Sequence, residues 1–150
     1  MSQKKYNPVE SESAIVAESR STYGLKTYVS LFSSAGVGCY GFKQENFYCI
    51  ATVELLERRL KIQKHNLKCA YDSGYICGDM TLKETRDRVF EELDLWKRNF
   101  NVKDLDVIVA TPPCQGMSVA NHKKKDELKR NSLVVESIRM VSQIKPKFFI

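Results

Sequence analysis

Strand-like and helix-like segments alternate along this 150-residue chain, and their order constrains the fold more than any other feature of the sequence. Apolar and β-branched residues form four short runs that predict strands, at 28–32, 49–53, 75–77 and 105–110. Segments with helical patterns separate these runs. Strands that take turns with helices are typical of a parallel sheet joined by right-handed crossovers. We therefore predict an α/β fold in which helices flank a parallel sheet.

Two of the helical segments carry clear apolar faces. The first covers 54–66 and is predicted to have three leucines on one face, namely Leu56, Leu60 and Leu67. The second opens with Thr81 and Glu84, which have the spacing of a capping box. The apolar stripe that follows consists of Val89, Phe90, Leu93, Trp96 and Phe100. Both patterns predict helices that pack one side against the sheet.

A third helix and a further strand are predicted near the end of the chain. Asn131 or Ser132 can act as the N-cap of the helix, and Lys145 and Pro146 end it. Its predicted apolar side consists of Val134, Ile138 and Val141. Residues 147–150 then have the pattern of a fifth buried strand. A parallel sheet that stops there keeps an open edge, so we expect a fold truncated at about its fifth strand whose continuation is needed for full stability and activity.

The size and charge of the chain fit a single folded unit. A chain of this length with 43% hydrophobic content can bury one core and is too short to be expected to hold two domains. Residues 1–22 are rich in Ser, Glu and Lys, which predicts a flexible N-terminal tail, and 23–150 are assigned to the folded domain. The net charge of +6 favours a polyanionic partner.

The cysteines do not indicate a metal site or a disulfide framework. There are five of them, an odd number, and no two have Cys-x-x-Cys spacing. We therefore expect no metal and a reducing cytoplasm. Residues 1–13 lack the apolar core of a signal peptide, and no apolar run approaches the ~18 residues needed to cross a bilayer, so no membrane association is expected.

A turn of small residues follows the first predicted strand. Gly36, Gly38 and Gly41 have Gly-x-Gly-x-x-Gly spacing, and small residues at such a turn let the backbone approach a bound cofactor. Glu54 closes the second predicted strand, 18 positions after Gly36, where an acid typically accepts hydrogen bonds from a ribose. This order favours a nucleotide-like cofactor. Alternatively, Glu54 is a carboxylate stabilised by the dipole of the following helix.

A second acid, Asp79, follows the third predicted strand. It lies at the edge of the sheet where open α/β folds bind their ligands, and it could accept a hydrogen bond from an adenine amino group. The alternative is structural, with Asp79 serving as a turn residue beside Thr81.

The segment Thr111-Pro112-Pro113-Cys114 follows the fourth predicted strand. The two prolines fix φ and remove two backbone donors, so the loop would hold the Cys114 thiol in one place. A thiol fixed at the carboxyl end of a strand can act as a nucleophile. Alternatively, the prolines only end a buried strand and Cys114 is a small core residue. The residues alone leave these two interpretations level.

Taken together, these motifs resemble those of the DNA (cytosine-5)-methyltransferase family. The resemblance runs from about Tyr28 to the end of the chain and is carried, in order, by Leu31-Phe32 with Gly36, Glu54, Gly78-Asp79, Asp106, Pro113-Cys114-Gln115 and Arg130-Asn131-x-Leu133. It implies a Rossmann-like fold dependent on S-adenosylmethionine, with 23–150 as the N-terminal part of the catalytic domain. Family members usually have Asp where Ser30 stands, Gly where Ser34 and Val37 stand, and Asp where Leu128 stands.

The resemblance also implies roles for individual residues. Cys114 would add to carbon 6 of a flipped-out cytosine, and carbon 5 would then take the methyl group of S-adenosylmethionine. The implied cofactor-binding residues are Phe32, Ser34, Ala35, Gly36, Val37, Glu54, Leu55, Asp79, Met80, Pro113 and Leu133. The implied DNA-binding residues are Gln115, Ser118 and Arg130. Ser118 and Arg130 belong to the basic segment 116–130, which resembles the loop that closes over DNA in the family, and Gln115 immediately precedes this segment.

The implied activity is therefore methylation of double-stranded DNA by a cytoplasmic enzyme, associated with the nucleoid if bacterial, in a restriction–modification system. Alternatives are an RNA cytosine-5 methyltransferase, an NAD-dependent oxidoreductase suggested by the glycine spacing with Glu54, and a non-catalytic module or one chain of a split enzyme. The family's Glu-Asn-Val motif would follow Ile150, so these 150 residues alone are expected to be inactive.

Overall fold

The computed structural model describes residues 24–113 and 127–150, with the side chains of 127–131 excepted. The predicted tail, 1–22, lies outside the described residues. So does the segment 114–126, which contains Cys114, Gln115 and Ser118. The domain assignment therefore stays a prediction.

Five strands form one parallel sheet in the described part of the chain: β1 (Lys26–Leu31), β2 (Phe47–Glu54), β3 (Tyr75–Cys77), β4 (Val107–Ala110) and β5 (Phe148–Phe149). Their order across the sheet is β3-β2-β1-β4-β5. The predicted parallel sheet is confirmed. The chain runs outward from β1 to β3 and then returns to β4 on the other side of β1. The order thus reverses between β1 and β4, and such a reversal opens a crevice at the carboxyl ends of the strands.

Four α-helices connect these strands within the described ranges: α1 (Tyr40–Gln44), α2 (Glu57–His65), α3 (Lys83–Phe100) and α4 (Glu127–Ile144). Short 3-10 turns at Val37–Cys39 and Asp72–Gly74 precede α1 and β3. Across residues 24–113 and 127–150, every helix is too short or too polar to cross a membrane.

The stripe of α3 packs on β2 and β3, as predicted. Val89, Leu93 and Trp96 are buried, and Phe90 and Phe100 are partly buried against the same core. The Trp96 and Phe100 rings lie 4.9 Å apart. Since each large apolar side chain contributes about 1.5–3 kcal/mol when fully buried, this stripe accounts for much of the attachment of α3 to the sheet.

Two details of the predicted helix starts are wrong. The residue before α3 is Leu82, and no side chain caps that helix. Thr81 instead donates its hydroxyl to Asp79 Oδ1 at 2.8 Å, a local side-chain hydrogen bond that belongs to the turn before the helix. Helix α2 covers Glu57–His65 rather than the predicted 54–66. Leu56 and Leu67 therefore lie outside it, before its start and after its end, and both are exposed. Only Leu60 of the three predicted leucines is buried.

The start and the inward face of α4 also differ from the prediction. The helix begins at Glu127, so Asn131 and Ser132 lie inside it and neither is its N-cap. Val134 and Ile138 are exposed, whereas Glu136 is buried. The cause is an ion pair: Arg86 of α3 donates to Glu136 Oε2 at 3.2 Å and draws that face of α4 inward. The predicted end is confirmed, since the helix stops at Ile144.

The fifth strand exists, but the prediction that it is buried is wrong. β5 pairs with β4, while Phe148 and Phe149 are 68% and 70% exposed. Among the described residues, β5 is the last strand on its side of the sheet. Its side chains therefore lack the cover that central strands receive.

Three of the described cysteines contribute to a small core on the other face of the sheet from α3. Cys39, Cys49 and Cys69 are buried there as free thiols together with Tyr28. The Cys49 and Cys69 sulfurs are 3.5 Å apart, a hydrogen-bond distance rather than a disulfide. Burial raises the pKa of the Cys69 thiol. Cys77, at the end of β3, is exposed.

Candidate cofactor site

A cavity of about 430 Å³ opens at the carboxyl ends of the central strands. Eight of the eleven predicted cofactor residues line it: Phe32, Ser34, Glu54, Leu55, Asp79, Met80, Pro113 and Leu133. Five further lining residues were not predicted: Val53, Leu56, Arg59, Gly78 and Thr111. Residues from the end of β2, from the loops after β1, β2, β3 and β4, and from α2 and α4 thus meet at the crevice that the strand order creates.

The loop after β1 forms one wall of the cavity and has an unusual backbone. Phe32, Ser34 and Gly36 adopt positive φ values of 56°, 50° and 85°. The Ser33 N–H donates to the Val53 carbonyl at 3.0 Å, which ties the loop to the end of β2. Left-handed backbone costs little for glycine but is strained for other residues. At Ser34 this gives a physical reason for the glycine that family members usually carry.

The structure does not bring Ala35, Gly36 and Val37 to this cavity. These three predicted residues line a separate cavity of about 370 Å³ on the other side of the loop, beside Tyr40 and Lys43. The sequence pattern placed them correctly after β1, but the turn directs them away from the crevice.

Ser34 offers a direct test of this backbone. We expect Ser34→Gly to keep or raise the free energy of unfolding, by up to about 1 kcal/mol, because glycine relieves the left-handed strain and keeps both backbone hydrogen bonds. Ser34→Val should lower it by about 1–3 kcal/mol, since a β-branched residue is strongly disfavoured there. Urea unfolding measures both.

The matched control for that test is Ser142→Gly. Ser142 is a solvent-exposed residue in the last turn of α4, where replacement by glycine should be destabilising by about 0.5 kcal/mol. The same substitution is therefore expected to have opposite signs at the two serines. Equal losses for Ser34→Gly and Ser34→Val would show that the loop does not hold residue 34 in a left-handed conformation.

Among the described polar residues that line the cavity, Glu54 is the buried one. It ends β2 and is only 5% exposed. Its Oε2 accepts from the Ser34 N–H at 2.8 Å, and its Oε1 accepts from the Leu56 N–H at 3.1 Å and from Arg59 Nη1 at 3.3 Å. Both sequence interpretations describe part of this arrangement, because Glu54 supports the start of α2 and also faces the cavity.

Asp79 also lines the cavity, two residues after β3 ends. Its Oδ1 accepts from the Thr81 N–H at 2.9 Å and from the Thr81 hydroxyl at 2.8 Å. The turn role considered for Asp79 is therefore present. The Gly78 N–H donates to the Glu54 carbonyl at 3.1 Å, so the two acid-bearing strand ends are joined directly.

The loop after β4 completes the cavity. The Thr111 N–H donates to the Leu31 carbonyl at 3.2 Å, and the Thr111 hydroxyl donates to the Phe32 carbonyl at 3.1 Å. Pro113 lines the cavity and is the last described residue before Cys114. Cys114, Gln115 and Ser118 lie outside the described residues, and the Arg130 side chain is not described.

Arg59 and Thr111 were missed for different reasons. Thr111 follows β4 directly, so the strand-end argument that drew attention to the loop after β4 could also have selected it. Arg59 lies in the first turn of α2, and the sequence pattern placed the start of that helix three residues too early. Within the described ranges, no group of three or more His, Cys, Asp or Glu side chains is placed to share a metal ion.

The family model for C-5 cytosine-specific DNA methylases matches residues 26–150. The chain belongs to this family. Among curated relatives, the type II methyltransferase M.XorII of Xanthomonas oryzae is 31% identical over 81% of this chain and 26% of its own length. The type II methyltransferase M1.HgaI of Avibacterium volantium is 33% identical over 81% of this chain and 32% of its own length. The chain thus spans about a quarter to a third of these two relatives.

Solved structures agree with the methylase family on the fold. An Escherichia coli prophage protein described as a DNA modification methyltransferase superposes with a TM-score of 0.56 at 23% identity, covering 83% of this chain and 30% of that one. The Cj0485 dehydrogenase superposes equally well, at 10% identity, over 84% of this chain and 48% of its own. At such identities the likeness shows the fold alone. It confirms the predicted Rossmann-like methyltransferase fold.

One departure from the methylase pattern has a local explanation. Family members usually have Asp where Ser30 stands, but Ser30 is buried in β1 with its Oγ 3.3 Å from Cys39 Sγ. A carboxylate in this thiol-rich interior would be buried beside weak hydrogen-bonding partners, which is costly. The small hydroxyl suits the Cys39 thiol beside it.

Proposed function

We propose that the protein transfers a methyl group from S-adenosylmethionine to carbon 5 of cytosine in double-stranded DNA. The observation that carries the proposal is the convergence of Glu54, Asp79 and Pro113 on one cavity, with Cys114 next in the sequence after Pro113. Membership of the methylase family supports the reaction type, and the type II methyltransferases among its relatives support a place in a restriction–modification system.

The cavity residues fit S-adenosylmethionine. The volume of the cavity falls within the roughly 300–1,000 Å³ that is typical of small-molecule sites. A carboxylate has about four acceptor positions, and three donors from the protein occupy those of Glu54. The remaining position would accept a ribose hydroxyl. Asp79 would accept from the adenine amino group, and Leu55 and Met80 would contact the adenine ring.

The catalytic role belongs to the thiol of Cys114. Its thiolate would add to carbon 6 of cytosine, which makes carbon 5 nucleophilic, and a base would later remove the carbon 5 proton as the thiolate leaves. S-adenosylmethionine, when bound, supplies an electrophilic methyl group on its sulfonium. The net charge of +6 and the basic segment 116–130 suit DNA binding, with Gln115, Ser118 and Arg130 as proposed contacts.

Because a stacked base cannot be attacked at carbon 6, the cytosine must leave the helix at a cost of a few kcal/mol. Phosphate contacts from Arg130 and the neighbouring lysines would help to offset that cost. These contacts make DNA binding sensitive to salt. The cytoplasmic location stays a prediction from the unpaired cysteines.

Two measurements test the proposed function. In calorimetry we expect the protein to bind S-adenosylhomocysteine in preference to NAD, and the reverse preference would contradict methyl transfer. With S-adenosylmethionine present, the full-length protein should form a covalent adduct at Cys114 with DNA that contains 5-fluorocytosine. An adduct with RNA alone would change the substrate to RNA, and the absence of any adduct would contradict both substrates.

A further inference from the structure

Gln63 is a buried polar side chain for which the sequence predicted no role. It lies on α2 and is 1% exposed. It is not among the residues that line the cofactor cavity. A buried amide is costly unless its donors and acceptor are satisfied, so its partners indicate what holds it there.

The amide of Gln63 joins three elements. Its Nε2 donates to the Ser33 hydroxyl at 2.9 Å and to the Ser34 carbonyl at 2.6 Å, and its Oε1 accepts from the Thr52 hydroxyl at 2.7 Å. A carbonyl oxygen can only accept, so the amide nitrogen must face Ser34 and the orientation is fixed. Lys68 Nζ donates to the same Thr52 hydroxyl at 3.1 Å and extends the network.

The turn after β1 is shaped to admit this side chain. A Cβ at Gly36 would lie 3.0 Å from the Gln63 Cγ and 3.3 Å from the Lys68 Cδ. Gly36 also has a φ of 85°. The glycine therefore serves both the turn conformation and the close approach of Gln63. The turn after β1 and the side chain of Gln63 are therefore closely packed against each other.

We propose that Gln63 is the positioning residue of the cofactor site. Its Nε2 donates to the carbonyl of Ser34 and so fixes the backbone of residue 34. In that position the N–H of Ser34 points at Glu54 Oε2, 2.8 Å away. The Glu54 carboxylate is thereby kept turned toward the cavity. This inference rests on the proposed function, because it assigns the orientation of Glu54 to cofactor binding.

The test compares two substitutions that remove the amide donors. Gln63→Glu keeps the shape but places an oxygen against the Ser34 carbonyl, and Gln63→Met keeps the volume without charge. We expect each variant to bind S-adenosylhomocysteine about 10-fold more weakly by calorimetry, because the loop loses two hydrogen bonds. Acidification should partly rescue Gln63→Glu, since a protonated carboxyl regains one donor. Gln143→Glu and Gln143→Met, on the exposed face of α4, are the matched controls and should bind normally.

A second readout does not depend on the cofactor. Amide hydrogen exchange at Ser34 should be slow in the unsubstituted protein and at least about 10-fold faster in a folded Gln63 variant. Fast exchange at Ser34 in the unsubstituted protein would overturn the inference even if neither variant folds. Folded variants that keep their affinity would also overturn it. Failure of the unsubstituted protein to bind S-adenosylhomocysteine would instead contradict the proposed function.

Discussion

Replacing Cys114 by serine in the full-length protein is expected to lower the rate of cytosine methylation by about 10⁴-fold or more. A hydroxyl is far less acidic than a thiol and supplies almost no anion at neutral pH, so it cannot add to carbon 6 at a useful rate. Binding of S-adenosylhomocysteine should stay within about two-fold, because the proposed role of Cys114 is toward the base rather than the cofactor. Transfer of labelled methyl groups to DNA and calorimetry measure the two effects.

Cys77→Ser is the matched control for this prediction. Cys77 is the exposed cysteine at the end of β3, and the proposed site assigns it no role. Its substitution should leave the rate within about two-fold of the parental value. Equal rates for Cys114→Ser and the unsubstituted protein would contradict a covalent mechanism at Cys114.

Glu54→Gln is expected to weaken binding of S-adenosylhomocysteine by roughly 10–100-fold. Three donors point at the carboxylate, from Ser34, Leu56 and Arg59. An amide in either orientation turns its NH₂ toward at least one of them, so a donor faces a donor at a buried position. The ribose also loses a charged acceptor, and hydrogen bonds to charged groups are stronger than neutral ones.

Glu57→Gln separates this effect from a general change in charge. Glu57 lies three residues further on, in the first turn of α2, and its side chain is 70% exposed beside Lys61. An exposed ion pair of this kind contributes little, so affinity should stay within about two-fold. Thermal unfolding of Glu54→Gln shows whether the variant is folded. A folded Glu54→Gln protein with parental affinity would exclude Glu54 from cofactor binding.

The fold could be predicted because its signals are local. β2 and β4 are nearly continuous apolar runs, β1 contains the buried Tyr28, Val29 and Leu31, and the stripe of α3 repeats with helical periodicity. The strand ends then indicate where a ligand lies in any sheet of this kind, which is why Glu54, Asp79 and the loop after β4 could be selected together.

Several of the errors arise from contacts that are distant in the sequence or compete locally. Glu136 turns inward because of Arg86, 50 positions earlier, and no helical periodicity contains that information. Thr81 bonds to Asp79 instead of capping α3. Gln63 joins residues 11 to 30 positions away, so it looks in the sequence like an ordinary polar residue of a surface helix.

The pairing of β1 with β4 sets a length scale for the proposed chemistry. The acids of the proposed cofactor site, Glu54 and Asp79, follow strands on one side of β1, whereas Cys114 comes after β4 in the sequence, and β4 is the strand on the other side of β1. Leu31 pairs with Ala110, and both hydrogen bonds of Thr111 fasten the two loops just beyond that pair. A shift of one residue in the pairing of β1 with β4 would move one strand along the other by about 3.3 Å, nearly twice the length of a carbon–sulfur bond. In the proposed reaction, this strand pairing therefore sets the distance over which the methyl group is transferred.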